Sequence, residues 1–239
     1  MKILADLHNH TVASGHAYST MEELISRAVK KKIKILGVSD HAPGLPGGAN
    51  IFHFSNMFIV PREIDGIILL KGAEANIMDY EGNIDMPFRS IKRLDYVIAS
   101  LHPPCIEPGT KEENTNAILG AMKNGRVNII GHPDDSRYPM DYETIVQASK
   151  LYNVALEINN TSLRRDSYRQ GVHENAKTIL NLCKKYEVKV IFGSDSHISY
   201  DIGNFSNCTQ VAEKVNFPDE LVINYSKESI NELLGEEIL

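Results

Sequence analysis

The chain has 239 residues, 42% of them hydrophobic, enough for one large domain or two small ones with a proper core. A formal net charge of −6 argues against long-range attraction to a nucleic-acid backbone, and no apolar run reaches membrane-spanning length. Three widely spaced cysteines, Cys105, Cys183 and Cys208, with no CxxC, speak against a disulfide framework or a thiolate zinc site and suit a reducing cytoplasm.

In chain order, "KILADLH" opens with one lysine and a strand pattern, which is not the form of a signal peptide. "STMEELISRAVKKK" is a helix with a Thr20–Glu23 capping box, and Lys30 to Lys32 at its end complement the helix dipole rather than bind nucleic acid. The strand "IKILGVSDH" leads into "HAPGLPGGANIFHFSNM", a Gly/Pro-rich stretch that reads as a long functional loop. Its His53 and phenylalanines either touch a ligand or, more simply, pack the loop down. The strand "GIILLKGAEAN" is followed by a small hairpin turning at Glu81-Gly82, then by the strand "DYVIASLH". "KEENTNAILGAMKNG" is a helix stopped by glycine, "VNIIGHP" a strand, and "DYETIVQASKLYN" a helix with Asp141 as N-cap. The strand "NVALEINN", the helix "ENAKTILNLCKKYE" and the strand "VKVIFGSDSH" complete the alternation, and "NCTQVAEKVNF" and "SKESINELLG" are closing helices. No linker or repeat divides the chain, so residues 1–239 are expected to form a single domain.

Seven strands of continuous apolar character, joined by helices, imply parallel pairing. An open doubly wound sheet carries its ligand at one switch point, whereas a barrel places functional residues at many strand ends. The histidines favour the barrel. Of nine, seven lie at or just past the C-terminal ends of strands: His8, His10, His16, His41, His102, His132 and His197. Glu74 and Asp195 share that placement. A lone strand-end histidine is commonly just a hydrogen-bonded loop residue, but independent explanations of that kind for all seven are implausible. His8 and His10 are two apart on a strand and point the same way, as do Asp195 and His197. Nine ligands exceed one tetrahedral ion and suit two or three, with Glu74 as the bridging carboxylate.

The set "DLHNHTVASGH", "GVSDHAP", "GAEANI", "ASLHPP", "IGHPD" and "FGSDSH" resembles the PHP (polymerase and histidinol phosphatase) family, and within it the YcdX-like phosphatase branch. The resemblance runs almost end to end. It implies an α/β fold, a distorted seven-stranded (β/α)7 TIM-like barrel, with a trinuclear metal centre. Carried over by motif, His8 and His10 bind one ion with Glu74 and Asp195. Glu74 bridges to a second ion held by His102 and His132. His16, His41 and His197 hold a third. The ions are divalent; imidazole-rich sites favour zinc, and manganese and iron also fit mixed ligation.

The chemistry expected is hydrolysis of a small phosphomonoester by in-line attack of metal-bound hydroxide, with Glu74, Asp195 and His132 as the catalytic set. Asp6 and Asp40 either orient ligand imidazoles or are plain strand-end carboxylates. An arginine fork completes most phosphate pockets; Arg169 in "YRQG" is the first candidate and Arg137 in "HPDDSRYP" the second. Arg164 and Arg165 read as solvated, Arg62 as structural, and Asn159 as a substrate contact or a turn cap. Competing readings are a phosphodiesterase or nuclease on the same centre, disfavoured by the acidic charge, and an amidohydrolase-type C–N hydrolase, disfavoured by His102 where a modified lysine is usual. A non-catalytic metal-binding PHP module is a third. Neither a nucleic-acid nor a membrane partner is expected, a homo-oligomer stays open, and the expected location is the cytoplasm.

Overall fold

The computed structural model describes residues 3–238; Lys2, at the head of the first predicted run, lies outside them. The elements are β1 (Ala5–Asp6), α1 (Met21–Lys31), β2 (Ile35–Val38), α2 (Ile51–Asn56), β3 (Glu63–Ile64), β4 (Ile67–Asn76), α3 (Phe88–Ile91) and β5 (Tyr96–Ser100). They continue with α4 (Lys111–Lys123), β6 (Ile129–Ile130), α5 (Tyr142–Tyr152), β7 (Ala155–Asn159), α6 (Val172–Tyr186), β8 (Val190–Gly193), α7 (Ser206–Lys214) and α8 (Lys227–Leu234). All seven expected strands are present, parallel, in the order β1-β2-β4-β5-β6-β7-β8. The two-residue β3 was not foreseen; it pairs antiparallel on the outer start of β4.

The ring closes between β1 and β8 through two local devices instead of a full ladder. At one end the His10 amide donates to the Ser196 carbonyl (2.9 Å) and the Ser196 amide to that of His8 (3.3 Å). At the other, the buried Asn224 side chain donates to the carbonyls of Ala5 (3.0 Å) and Phe192 (2.8 Å) and accepts from the Phe192 amide (2.7 Å). The expected distorted seven-stranded barrel is therefore what the chain forms, and the distortion lies at this seam.

The helices begin where their caps dictate. Thr20 and Glu23 exchange side-chain and backbone bonds at the head of α1, and Thr110 and Glu113 do the same for α4. Asp141 caps α5 as expected. One apolar cluster draws on every parallel strand, among them Ala5, Ile35, Leu70, Tyr96, Ile98, Ile129, Ala155 and Ile191, so it fills the barrel interior; Ile230 and Leu233 of α8 pack against it as a floor. Tyr96 crosses this interior and its hydroxyl donates to the Leu7 carbonyl at 2.5 Å. A Cβ on Gly72 would lie 2.3 Å from the Tyr96 ring, so glycine there makes room for it.

In the loop after β2, Phe54 packs inward and Phe52 stands exposed, so the reading that the phenylalanines pin this loop holds for one of the two. His53 turns away from the barrel mouth to within 3.1 Å of Asp40. The hairpin after β4 turns where expected, with Ile77 bridging Ile84 and Gly82 at φ +84°.

Candidate metal centre

A short β1 followed by "HNH" sends two imidazoles to one side because alternate residues share a face. Asn9, between them, is buried and ties the turn down by donating to the carbonyls of Asp6 and Gly37 (both 3.1 Å). The other donors arrive from the ends of β2, β4, β5, β6 and β8. His41 forms a parallel bridge with Glu74, which carries β2 past its last regular residue to the rim. His132 and Asp195 sit where the chain leaves β6 and β8, with φ of +31° and +52°, a region that non-glycine residues rarely occupy.

The structure gathers all nine residues picked out by the histidine pattern. Around the buried Glu74 carboxylate lie His41 Nδ1 (2.7 Å), His132 Nε2 (2.9 Å), His8 and His102 Nε2 (both 3.4 Å) and His10 Nε2 (3.6 Å). Asp195 Oδ1 faces His10 Nε2 (3.3 Å), His197 Nδ1 (3.5 Å) and His8 Nε2 (3.7 Å). His16, at the exposed edge, points its Nε2 at His197 Nε2, 3.0 Å away. Three triads of donors lie within 4.8 Å of one another: His8, His10 and Glu74; His41, Glu74 and His102; His10, His41 and His197. His41 thus faces the Glu74 carboxylate as well as His197.

The back of each ring decides what its front offers. His8 Nδ1 is 2.6 Å from Glu157 Oε1, and the other Glu157 oxygen accepts from the His132 amide (2.8 Å) and from Asn159 Nδ2 (3.0 Å). His10 Nδ1 is 3.2 Å from Ser14 Oγ, whose own hydrogen goes to Asp40 (2.6 Å). His102 Nδ1 is 2.7 Å from Asn76 Oδ1, an orientation fixed because Asn76 Nδ2 donates to Asp85 (2.7 Å). His197 Nδ1 is 3.0 Å from the Asp195 carbonyl. In each pair the partner is an acceptor, so Nδ1 carries the hydrogen and Nε2 keeps a lone pair aimed at the cluster. Among the described residues, His8 Nε2, His10 Nε2, His41 Nδ1 and Glu74 Oε2 are buried without a hydrogen-bond partner. Converging lone pairs of imidazole nitrogen and carboxylate oxygen, unsatisfied by protein, are the donor set that divalent metal ions take. The arrangement can hold metal ions.

Electrostatics favour the neutral form at two of the rings, while at His8 burial is outweighed by Glu157, Glu74 and Asp195, which raise that ring well above its usual value. Burial, then the neighbouring His41 and His197, lowers His10 to about 3, and burial followed by Arg169 lowers His132 to about 4, so both rings are neutral at physiological pH. Burial would raise Glu74 and Asp195, but the imidazoles around them prevail, joined at Asp195 by Arg169, and hold both well below the usual carboxylate range.

Glu157, Asn76 and Ser14 were not singled out in the sequence, yet they set three of the rings. Asp40 acts at one remove, through Ser14. Asp6 touches no imidazole; it is a buried strand-end carboxylate that accepts from the Gly203 amide (2.7 Å), and burial raises it to about 6. Asn159 donates to Asp195 (3.2 Å) and caps the Ser162 amide (2.8 Å).

A cavity of about 540 Å³ opens over the cluster, and Arg169 lines it. Its Nη1 donates to Ser162 Oγ (2.8 Å) and reaches Asp195 (3.4 Å). Arg137 does not line this cavity: its guanidinium is spent on Asp135 (2.8 and 2.5 Å). Arg164 pairs with Asp166 on the surface and Arg165 is exposed, while Arg62 bridges Asp95 (2.6 Å) and Glu236 (3.1 Å) away from the mouth.

The profile of the PHP domain matches residues 6–234. A protein of Clostridium acetobutylicum named a probable phosphatase is 48% identical over 234 residues, covering 98% of this chain and 95% of that one. Another probable phosphatase, from Caldanaerobacter subterraneus, is 43% identical over 238 residues, 99% and 93% of the two chains. Among solved structures, histidinol phosphate phosphatase of Lactococcus lactis, complexed with zinc, L-histidinol and phosphate, matches with TM-score 0.58 at 18% identity, over 90% of this chain and 94% of that one. A chain of an archaeal ribonuclease P bound to mature tRNA matches with TM-score 0.61 at 15% identity, over 97% and 90%. At such identities the structural matches speak to the fold alone.

Proposed function

This chain belongs to the PHP domain family, and on that footing we propose that it is a metal-dependent phosphatase of small phosphomonoesters, folded as one domain and working with three divalent ions. The observation that carries the proposal is the set of three histidines, His8, His10 and His102, each hydrogen-bonded at Nδ1 so that Nε2 faces Glu74, with His8 and His10 facing Asp195 as well. Such second partners are built for ligation, not for a chance cluster of loop histidines.

In this reading His8, His10, Glu74 and Asp195 hold one ion, Glu74 is shared with a second at His102 and His132, and His16, His41 and His197 hold the third, with His41 close enough to Glu74 to couple the groups. Imidazole-rich ligation favours zinc, which the Lactococcus lactis relative also binds, and manganese and iron are the alternatives. When bound, such ions supply a nucleophile at neutral pH, by lowering the pKa of water from 15.7 to about 7, and polarise a phosphoryl oxygen. The chain does the rest. Arg169, clamped by Ser162 and Asp195, presents a fixed guanidinium to the phosphoryl oxygens. Asp195 and Glu74 stay ionised and balance the charge gathered at the mouth. His132 is held by the Glu157 bond to its own amide. Arg137, tied to Asp135, contributes indirectly. Three unpaired cysteines fit a reducing compartment such as the cytoplasm.

Phosphate release from a panel of phosphomonoesters, by protein loaded separately with zinc, manganese and iron against a chelated control, tests this. Metal-dependent release that His132→Ala abolishes is the expected result. No release from protein shown to hold its ions overturns it.

A further inference from the structure

The cavity over the cluster has two unlike halves. One is the imidazoles, Asp195 and Arg169. The other is built from Leu45 and Pro46 of the loop after β2, Pro103 and Pro104 of the loop after β5, and Tyr168 of the loop after β7. None of these five offers a charge, and Tyr168 alone carries a side-chain hydrogen-bonding group. Thr161, which also lines the cavity, has already given its hydroxyl to the Ser194 carbonyl (2.9 Å). Asp195 is the one carboxylate lining the cavity among the described residues, and it already faces His8, His10, His197 and Arg169.

Tyr168 is 64% exposed. It is nevertheless held. Arg137 and Arg169 place their guanidinium carbons 5.2 and 5.4 Å from its ring centroid. Arg137 is itself locked by its two bonds to Asp135. A chain of fixed groups, Asp135 to Arg137 to Tyr168, thus steadies an exposed ring at the edge of the mouth. It also gives Arg137 a use that does not require it to reach phosphate.

Resting on the phosphatase reading above, we infer that Leu45, Pro46, Pro103, Pro104 and Tyr168 form a leaving-group wall that selects phosphomonoesters of uncharged alcohols bearing an aromatic or flat apolar group. Proline faces and a tyrosine ring reward flat apolar surface. A polyol such as a sugar would give up its water hydrogen bonds against a wall that returns almost none. An amino alcohol such as histidinol would bring a cation with no free carboxylate to meet it. The volume, about 540 Å³, accommodates a phosphate with a ring system attached.

The test compares benzyl phosphate with glycerol 3-phosphate and histidinol phosphate, all esters of primary alcohols, so that leaving-group reactivity does not decide the outcome. With the metal-loaded protein, kcat/KM for benzyl phosphate is expected to be at least about ten-fold above the other two. In Tyr168→Ala the benzyl-to-glycerol ratio falls by about ten-fold, through KM, and Tyr168→Phe restores it. A second measurement needs no turnover: calorimetric binding of benzylphosphonate against methylphosphonate, with the aromatic ligand about ten-fold tighter in the wild type and not in Tyr168→Ala. Equal binding of the two phosphonates, or a preference for glycerol or histidinol phosphate, overturns the wall. Selective benzylphosphonate binding without hydrolysis of any monoester would leave the wall standing and sink the phosphatase reading instead.

Discussion

Glu157 is the place where one atom exchange tests the reasoning about the centre. Its carboxylate is buried and accepts from His8 Nδ1 (2.6 Å), the His132 amide (2.8 Å) and Asn159 Nδ2 (3.0 Å). Glu157→Gln keeps the shape but turns one of the two oxygens into an NH2. Whichever way the amide faces, N–H then meets N–H on one side. Losing a charge-assisted bond costs about 1.5–3 kcal/mol and an unsatisfied buried donor about 1–3 kcal/mol, so roughly 3 kcal/mol is expected if nothing adjusts. At this chain length that is a fall in Tm of about 6–12 °C. One adjustment is open: His8 can move its hydrogen to Nε2 and accept from the new amide. That heals the mismatch and destroys the lone pair facing Glu74. Either way metal affinity falls, by about 10–100-fold, as usual when the group behind a ligand histidine is lost. Zinc titration of chelator-stripped protein against a chromogenic competitor measures it, with thermal melting in parallel. Zinc affinity unchanged within two-fold, with or without a loss of stability, would refute the claim that Glu157 sets the His8 ring for ligation.

Arg169→Ala is expected to lower kcat/KM by about 10–100-fold and to weaken inhibition by inorganic phosphate, since the pocket loses its only lining guanidinium among the described residues; an unchanged phosphate inhibition constant would remove Arg169 from the phosphate site. Tyr96→Phe deletes the 2.5 Å bond to the Leu7 carbonyl inside the barrel and should cost about 1–3 kcal/mol in chemical denaturation, while metal content stays as in the wild type; a stability change below about 0.5 kcal/mol would show that carbonyl to be satisfied otherwise. In chelator-stripped protein, His132→Gly should be at least as stable as His132→Ala; the reverse order, by the usual 0.5–1 kcal/mol penalty of glycine, would mean the backbone at 132 carries no strain.

What the sequence makes legible is what is local or strongly patterned. The parallel strands show as continuous apolar runs because both faces of each are covered. Thr20, Thr110 and Asp141 cap their helices through residues three positions away, inside any reading window. The histidines are legible together because strand ends of a barrel converge whatever the loops do. The supporting groups are not. Asn76 meets His102 across 26 residues and Glu157 meets His8 across 149, and nothing in either neighbourhood names its partner. Glu157 did leave a trace, a single acid inside the apolar run "NVALEINN", which a buried strand tolerates only with partners. A Cβ at Gly193 would fall 1.7 Å from its Oε1, so the neighbouring strand is glycine at the one point where that acid must pass. Arg137 and Arg169 look alike in sequence, each in a loop beyond a strand end. Asp135, two residues before the first, claims it; Ser162 and Asp195 direct the second toward the mouth, and the Asp195 contact spans 26 residues.

The left-handed backbone at His132 and Asp195 links the fold to the site. A strand leaving a barrel in regular geometry keeps alternating its side chains between the interior and the helical shell. At φ of +31° and +52° the chain instead turns sharply at these two residues, so each side chain reaches the rim facing Glu74 or His10. The cost is of order 1–3 kcal/mol for each such residue, and the surroundings have to impose it. They do: the His132 amide is held by Glu157, and Asp195 by Asn159 and Arg169. The same Glu157 that sets the His8 ring therefore also pins the strained turn of His132. Ring orientation at His8 and backbone strain at His132 are maintained by one carboxylate, so on the proposed reading removing the strain with glycine at 132 gains stability only by giving up a ligand. A histidine in that conformation, braced from behind, is what the proposed metal site asks of this position.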